Sequence, residues 1–136
     1  DASTHRRGYN LAVIDPGTGA VVNRAGFDTW ANQYEAQDLV DFVASIPQGY
    51  IVAVAVKDDG AANLTEAAVQ ALRSLGAEID LRGTEHLSHA LIGVKGATPG
   101  TALEASGEGN SYLQVGRNPD DRTLSVAVDY VNVRLP

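Results

Sequence analysis

Lys57, Asp58, Asp59 and Gly60 follow one another directly after an apolar run at residues 50–56, so an ammonium and two carboxylates emerge where a strand would end. A carboxylate that accepts and an ammonium that donates can chelate vicinal sugar hydroxyls. The plainer alternative is structural: Asp58 accepts backbone N–H groups in a turn and Gly60 supplies a positive φ. A second candidate group is Arg24, Asp28 and Trp30. Arg24 and Asp28 are four residues apart and face the same way on an unbroken strand. Trp30 is the only tryptophan, and its ring suits the CH face of a pyranose. Against that, a lone tryptophan ahead of a helix commonly serves as a core or staple residue.

Other constellations carry less. His86 and His89, with Glu85 beside them, lack a third metal ligand at a recognisable spacing. His89 reads instead as an aromatic replacement at the start of a strand, and His86 as a solvated residue. The adjacent acids Asp58–Asp59 and Asp120–Asp121 have no EF-hand spacing. A glycosidase would need two carboxylates across a cleft, drawn from Asp28, Asp58, Asp59, Glu85 and Glu104. Asn63, Leu64 and Thr65 satisfy the N-glycosylation pattern, but Thr65 fits equally as a helix cap. No nucleophile elbow, phosphate loop or dinucleotide fingerprint occurs, so catalysis has no positive support and no cofactor is expected.

The chain has 136 residues, 44% hydrophobic and 20% charged, which fits one folded domain. Its formal charge of −7 repels phosphate backbones, so nucleic acid is excluded as an expected partner. The longest apolar run is far short of the roughly 20 residues that cross a bilayer, so no membrane insertion is expected. Without cysteine the chain can form no disulfide, zinc–thiolate site or thiol nucleophile. It also lacks methionine, and Asp1 is read as a processing boundary.

Several elements must position the candidate residues. Residues 1–7 read as a mobile leader, with one domain from Gly8 to Pro136. An apolar strand at 9–14, a turn at Asp15-Pro16-Gly17-Thr18-Gly19 and a returning strand at 20–27 come first. From Asn32, the residues Ala36, Leu39, Val40, Val43 and Ile46 recur at helical spacing and stop before Pro47. Residues 50–56 are short, β-branched and apolar on both faces, the pattern of a central buried strand. A helix follows, capped by Thr65 and ended by Gly76, then a strand at 89–94. Residues 96–109 read as a long loop. Alternation at Tyr112, Gln114 and Gly116, a turn at Asn118-Pro119-Asp120-Asp121, and Leu124 to Tyr130 predict a closing hairpin. Its apolar parity switches beyond Tyr130. The order ββαβαβ plus a terminal hairpin is α+β.

Six stretches in this order resemble the interleukin-like EMT inducer (ILEI) domain family. They are Leu11-Ala12-Val13-Ile14-Asp15-Pro16-Gly17-Thr18-Gly19, Phe27-Asp28-Thr29-Trp30, Ser45-Ile46-Pro47-Gln48-Gly49, Val54-Ala55-Val56-Lys57-Asp58-Asp59-Gly60, Ala71-Leu72-Arg73-Ser74-Leu75-Gly76 and Ile92-Gly93-Val94-Lys95-Gly96. The resemblance covers about residues 8–107 and leaves the hairpin at 110–135 unmatched. It implies a compact β-β-α fold with two antiparallel sheets flanked by short helices. The chain is also similar to the sugar-binding stem domain of O-mannose N-acetylglucosaminyltransferase. Family members carry Arg-Asp-Ser/Thr-Trp where this chain has His86-Leu87-Ser88-His89. The implied function is a non-catalytic, extracellular or cell-surface module that binds a glycan or a glycosylated protein. The expected ligand set is Arg24, Asp28, Trp30, Lys57, Asp58, Asp59, His89 and Lys95. The alternative is a self-associating structural subunit of a cell-surface or phage assembly, a homo-oligomer built through residues 111–135.

Overall fold

The computed structural model describes residues 1–116, 123–127 and 131–134. β1 (Gly8–Ile14) and β2 (Val21–Phe27) form an antiparallel hairpin. Asp15 closes it, since its Oδ1 accepts the Gly17 N–H at 2.7 Å and its carbonyl accepts the Gly19 N–H at 2.8 Å. Then come α1 (Gln33–Ser45), β3 (Ile51–Lys57), α2 (Glu66–Arg73), β4 (Ser88–Val94) and β5 (Leu103–Gly107). The five strands lie in the order β2-β1-β3-β4-β5, every pair antiparallel, with valine-rich β3 at the centre. The fold is α+β, as the order of elements predicts.

The alternation within β3 explains its central place. Val52, Val54 and Val56 point to the face shared with Tyr9, Leu11, Val13 and Leu91, where they pack with Leu39 and Val43 of α1 and Val69 and Leu72 of α2. Ala53 and Ala55 point to the other face, with Ala12, Ile14, Ala90 and Ile92. Both faces are buried, so neither could tolerate a polar residue without a partner. Each large side chain on the helix-covered face contributes about 1.5–3 kcal/mol.

Both helices begin where side-chain caps permit. Asn32 accepts the Glu35 N–H at 3.1 Å, and Thr65 accepts the Ala68 N–H at 3.2 Å. Thr65→Ala is expected to cost about 1 kcal/mol, read by chemical denaturation, because it leaves a first-turn donor without that acceptor. Gly76, at φ +97°, ends the second helical segment as expected.

Two elements depart from expectation. The segment read as a loop at 96–109 contains β5, which pairs with β4 from Ser88↔Gly107 to Ile92↔Leu103. Beyond it, β6 (Tyr112–Gly116), β7 (Thr123–Ala127) and β8 (Val131–Arg134) pair antiparallel in that order, one strand more than a hairpin. The parity switch beyond Tyr130 coincides with the start of this separate strand. Tyr130 and the expected turn at Asn118-Pro119-Asp120-Asp121 lie outside the described residues. Leu113 of β6 packs on the alanine-rich face, and Ser111 Oγ lies 2.6 Å from Ser88 Oγ.

Candidate functional site

At one end of the sheet β1 begins while β2 and β3 finish, because neighbouring strands run antiparallel. The pairings Gly8↔Lys57 and Tyr9↔Phe27 therefore bring Arg7, Asp28 and Lys57 together at the strand ends. Arg7 grips Asp28 from the side, with Nε to Oδ1 at 2.9 Å and Nη2 to Oδ2 at 2.9 Å. That hydrogen-bonded pairing holds the Asp28 carboxyl below the usual carboxylate range. The same guanidinium lies 4.1 Å from the centroid of the Trp30 ring, a cation–π contact. Trp30 remains 44% exposed, so it is not a core residue.

Three hydrogen bonds stitch the segment from Gly60 to Asn63 to the Trp30 turn. Thr29 Oγ1 donates to the Gly60 carbonyl at 2.7 Å, the Asn63 N–H to the Thr29 carbonyl at 2.8 Å, and Asn63 Nδ2 to the Trp30 carbonyl at 2.6 Å. With Asn63 Nδ2 engaged and Thr65 capping α2, residues 63–65 act as loop and cap.

Asp58 and Asp59 divide the two roles the sequence leaves open. Asp59 is buried, and its carboxylate accepts the Ala61 N–H at 2.8 Å and the His86 N–H at 3.2 Å. It is the structural member of the pair. Asp58 is the left-handed residue of the turn, at φ +63°, a position expected of Gly60. Its side chain is 61% exposed, with His86 Nδ1 at 3.6 Å from Oδ1. His86 is also left-handed, at φ +51°. Two strained, exposed, polar residues facing each other are the kind of feature that collects at binding sites.

The other expected ligand residues lie elsewhere. Arg24 is exposed in mid-β2, opposite Ala12 and short of the strand end that carries Asp28. His89 is fully buried; its Nδ1 lies 3.1 Å from the Tyr9 hydroxyl and its Nε2 2.7 Å from Glu104 Oε1. Lys95 sits at the opposite end of the sheet, where Nζ donates to the Val43 carbonyl at 2.6 Å. It thus serves the carbonyl end of α1, which has no basic residue in its own last turn.

Sequence reasoning missed Arg7 and His86 as members of the cluster. Arg7 falls in the stretch read as a leader, where Thr4 also donates to Asn10 Oδ1 at 2.6 Å and Arg6 to Glu35 Oε1 at 2.9 Å. A signal for Arg7 was present: a hairpin closing at Asp15–Gly19 returns its second strand so that residues just before β1 meet those just after β2. His86 had none, since a long connection brings it in. Among the described residues, no group of three or more His, Cys, Asp or Glu side chains is placed to hold a metal ion. Of the acids a glycosidase would use, Asp28 is held by Arg7, Asp59 by backbone N–H groups, and Glu104 by His89. Among the described residues, no helix is long and apolar enough to cross a membrane.

The arrangement offers an indole beside an exposed carboxylate, an ammonium and an imidazole. Several known proteins are similar to this chain in sequence. The human cell migration-inducing and hyaluronan-binding protein is 35% identical over 105 residues, which is 76% of this chain and 8% of that protein. The cell surface hyaluronidase of Danio rerio is 31% identical over 105 residues, 72% of this chain and 7% of the relative. Protein FAM3C of Rattus norvegicus is 36% identical over 70 residues, 52% of this chain and 30% of the relative. The chain thus spans only a small part of these relatives. The interleukin-like EMT inducer family matches residues 7–97, from the arginine that grips Asp28 to just past the β4 turn, and the chain belongs to that family.

Proposed function

We propose that this chain is a non-catalytic, extracellular or cell-surface module that recognises a glycan or a glycosylated protein at the Trp30–Asp58 end of its sheet. One observation carries the reading: an exposed indole, with the Asp28-bound Arg7 guanidinium over its ring, sits on a turn hydrogen-bonded to the one that presents Asp58. A sugar stacked on the ring could place its hydroxyls toward the Asp58 carboxylate and the Lys57 ammonium, the donor and acceptor set such a ligand requires. The name of the hyaluronan-binding relative supports a carbohydrate as the ligand class, and the cell-surface relatives support the location. Asp28, Trp30, Lys57 and Asp58 are the proposed contacts, with Asp59 holding the turn.

The test is a glycan array followed by titration of two variants. Trp30→Ala and Asp58→Asn are each expected to weaken a positive interaction about tenfold, the loss of one stacked or charge-assisted contact. Asparagine tolerates the left-handed conformation at position 58, so the thermal midpoint should stay in place. A blank array over a wide sugar set, or undiminished binding in both variants, would contradict the reading.

A further inference from the structure

We infer that this end of the sheet selects neutral glycans and turns away uronate- or sialate-bearing ones, an inference that rests on the glycan reading above and narrows its ligand class. The ground is how the charges there are already committed. Arg7 spends its Nε/Nη2 edge on Asp28, and Arg6 pairs with Glu35 at 2.9 Å while donating to the Gly26 carbonyl at 2.7 Å. His5 Nε2 lies 2.6 Å from Asp1 Oδ2. Lys57 is the one cation here with no carboxylate partner among the described residues, and its Nζ donates to the His5 carbonyl at 3.3 Å. Against it stand Asp58 and Asp59, whose one neighbour within ion-pair distance among the described residues is the His86 ring, at 3.6 and 3.8 Å.

A sugar carboxylate entering this space would meet the exposed Asp58 carboxylate without an uncommitted guanidinium fork to offset it. Like charges brought together at an interface are a standard way of rejecting a partner. Neutral hydroxyls suffer no such penalty, because they can donate to Asp58 and accept from Lys57. The formal charge of −7 extends the repulsion to polyanions approaching from a distance. A hyaluronan chain, with a carboxylate on every disaccharide, is therefore a poor ligand here even though a relative is named for binding it.

The experiment uses the intact chain and a panel of neutral oligosaccharides, each beside its uronate-bearing or sialylated counterpart, together with a hyaluronan octasaccharide beside its methyl ester. Binding is measured near neutral pH at low and at physiological salt. Hits confined to neutral or esterified members, at least about tenfold tighter than their acidic counterparts, are the expected result. Acidic members bound as tightly as neutral ones, with affinity falling as salt rises, would overturn the selectivity and leave glycan recognition standing. A blank panel would overturn recognition itself, and the selectivity with it.

Discussion

Glu104→Ala is expected to cost about 3 kcal/mol, the upper end of the range for leaving buried hydrogen-bond partners unsatisfied, with a large fall in the denaturation midpoint. The carboxylate is only 9% exposed and closes a relay that runs through the core. It accepts the Glu78 N–H at 2.8 Å and the Ile79 N–H at 3.2 Å, and it lies 2.7 Å from His89 Nε2, whose other nitrogen meets the Tyr9 hydroxyl. Truncation leaves two main-chain donors and a ring nitrogen without their acceptor. Glu104→Gln should cost less, because the amide oxygen can still accept from one of them.

The same residue sets a pH dependence. Burial alone would raise the Glu104 carboxyl, but the His89 hydrogen bond and the Glu78 and Ile79 N–H groups outweigh it and hold the group below its ordinary value. The unfolded chain then binds the proton more readily than the folded one. This contribution is fully present above the unfolded glutamate value of about 4.3 and is lost as pH falls through the lower folded value. Asp28 and Asp80, each hydrogen-bonded to an arginine, shift in the same direction. Stability should therefore decline on acidification below about pH 5, and Glu104→Gln should flatten part of that decline. An equally steep decline in the variant would contradict the assignment.

Gly8→Ala is expected to cost about 2–4 kcal/mol, the sum of left-handed strain and overpacking, and to loosen the candidate site as well. Gly8 has φ +87°, and a Cβ there would come within 2.2 Å of the Phe27 carbonyl oxygen and 2.8 Å of the Thr29 nitrogen. Both are main-chain atoms, bonded to each other across the Asp28 turn, so neither can step aside cheaply. Relief would have to come from separating β1 from the end of β2, which moves Arg7 away from Asp28 and Trp30. Chemical denaturation should report the stability loss, and tryptophan fluorescence under native conditions should report the displaced guanidinium. A variant of unchanged stability would contradict the close packing at this position.

Much of this architecture is written in short-range pattern. The β1–β2 hairpin follows from Asp15-Pro16-Gly17, α1 from its apolar spacing between Asn32 and Pro47, and the centre of the sheet from alternating valine and alanine in β3. β5 escaped because its pattern is inverted. Leu103 is exposed while charged Glu104 points inward to satisfy His89, so hydrophobic periodicity gives no strand signal there. The site was half legible. Asp28, Trp30, Lys57 and Asp58 do gather at one sheet end, because each ends or closely follows a strand that finishes there. His89 lies near the start of β4 and Lys95 just past its end, yet one enters the core and the other reaches back to α1. Residue type alone does not distinguish a ligand contact from an internal hydrogen bond whose partner lies far away in sequence.

The most direct test of the account is an NMR titration of the intact chain with a neutral oligosaccharide that binds it. Perturbation centred on the Trp30 indole N–H and the Asp58 and His86 amides, with β5 and the Lys95 turn unmoved, is the predicted result. Perturbation centred on β5, or on the Lys95 end of the sheet, while the indole signal stays fixed, would contradict it.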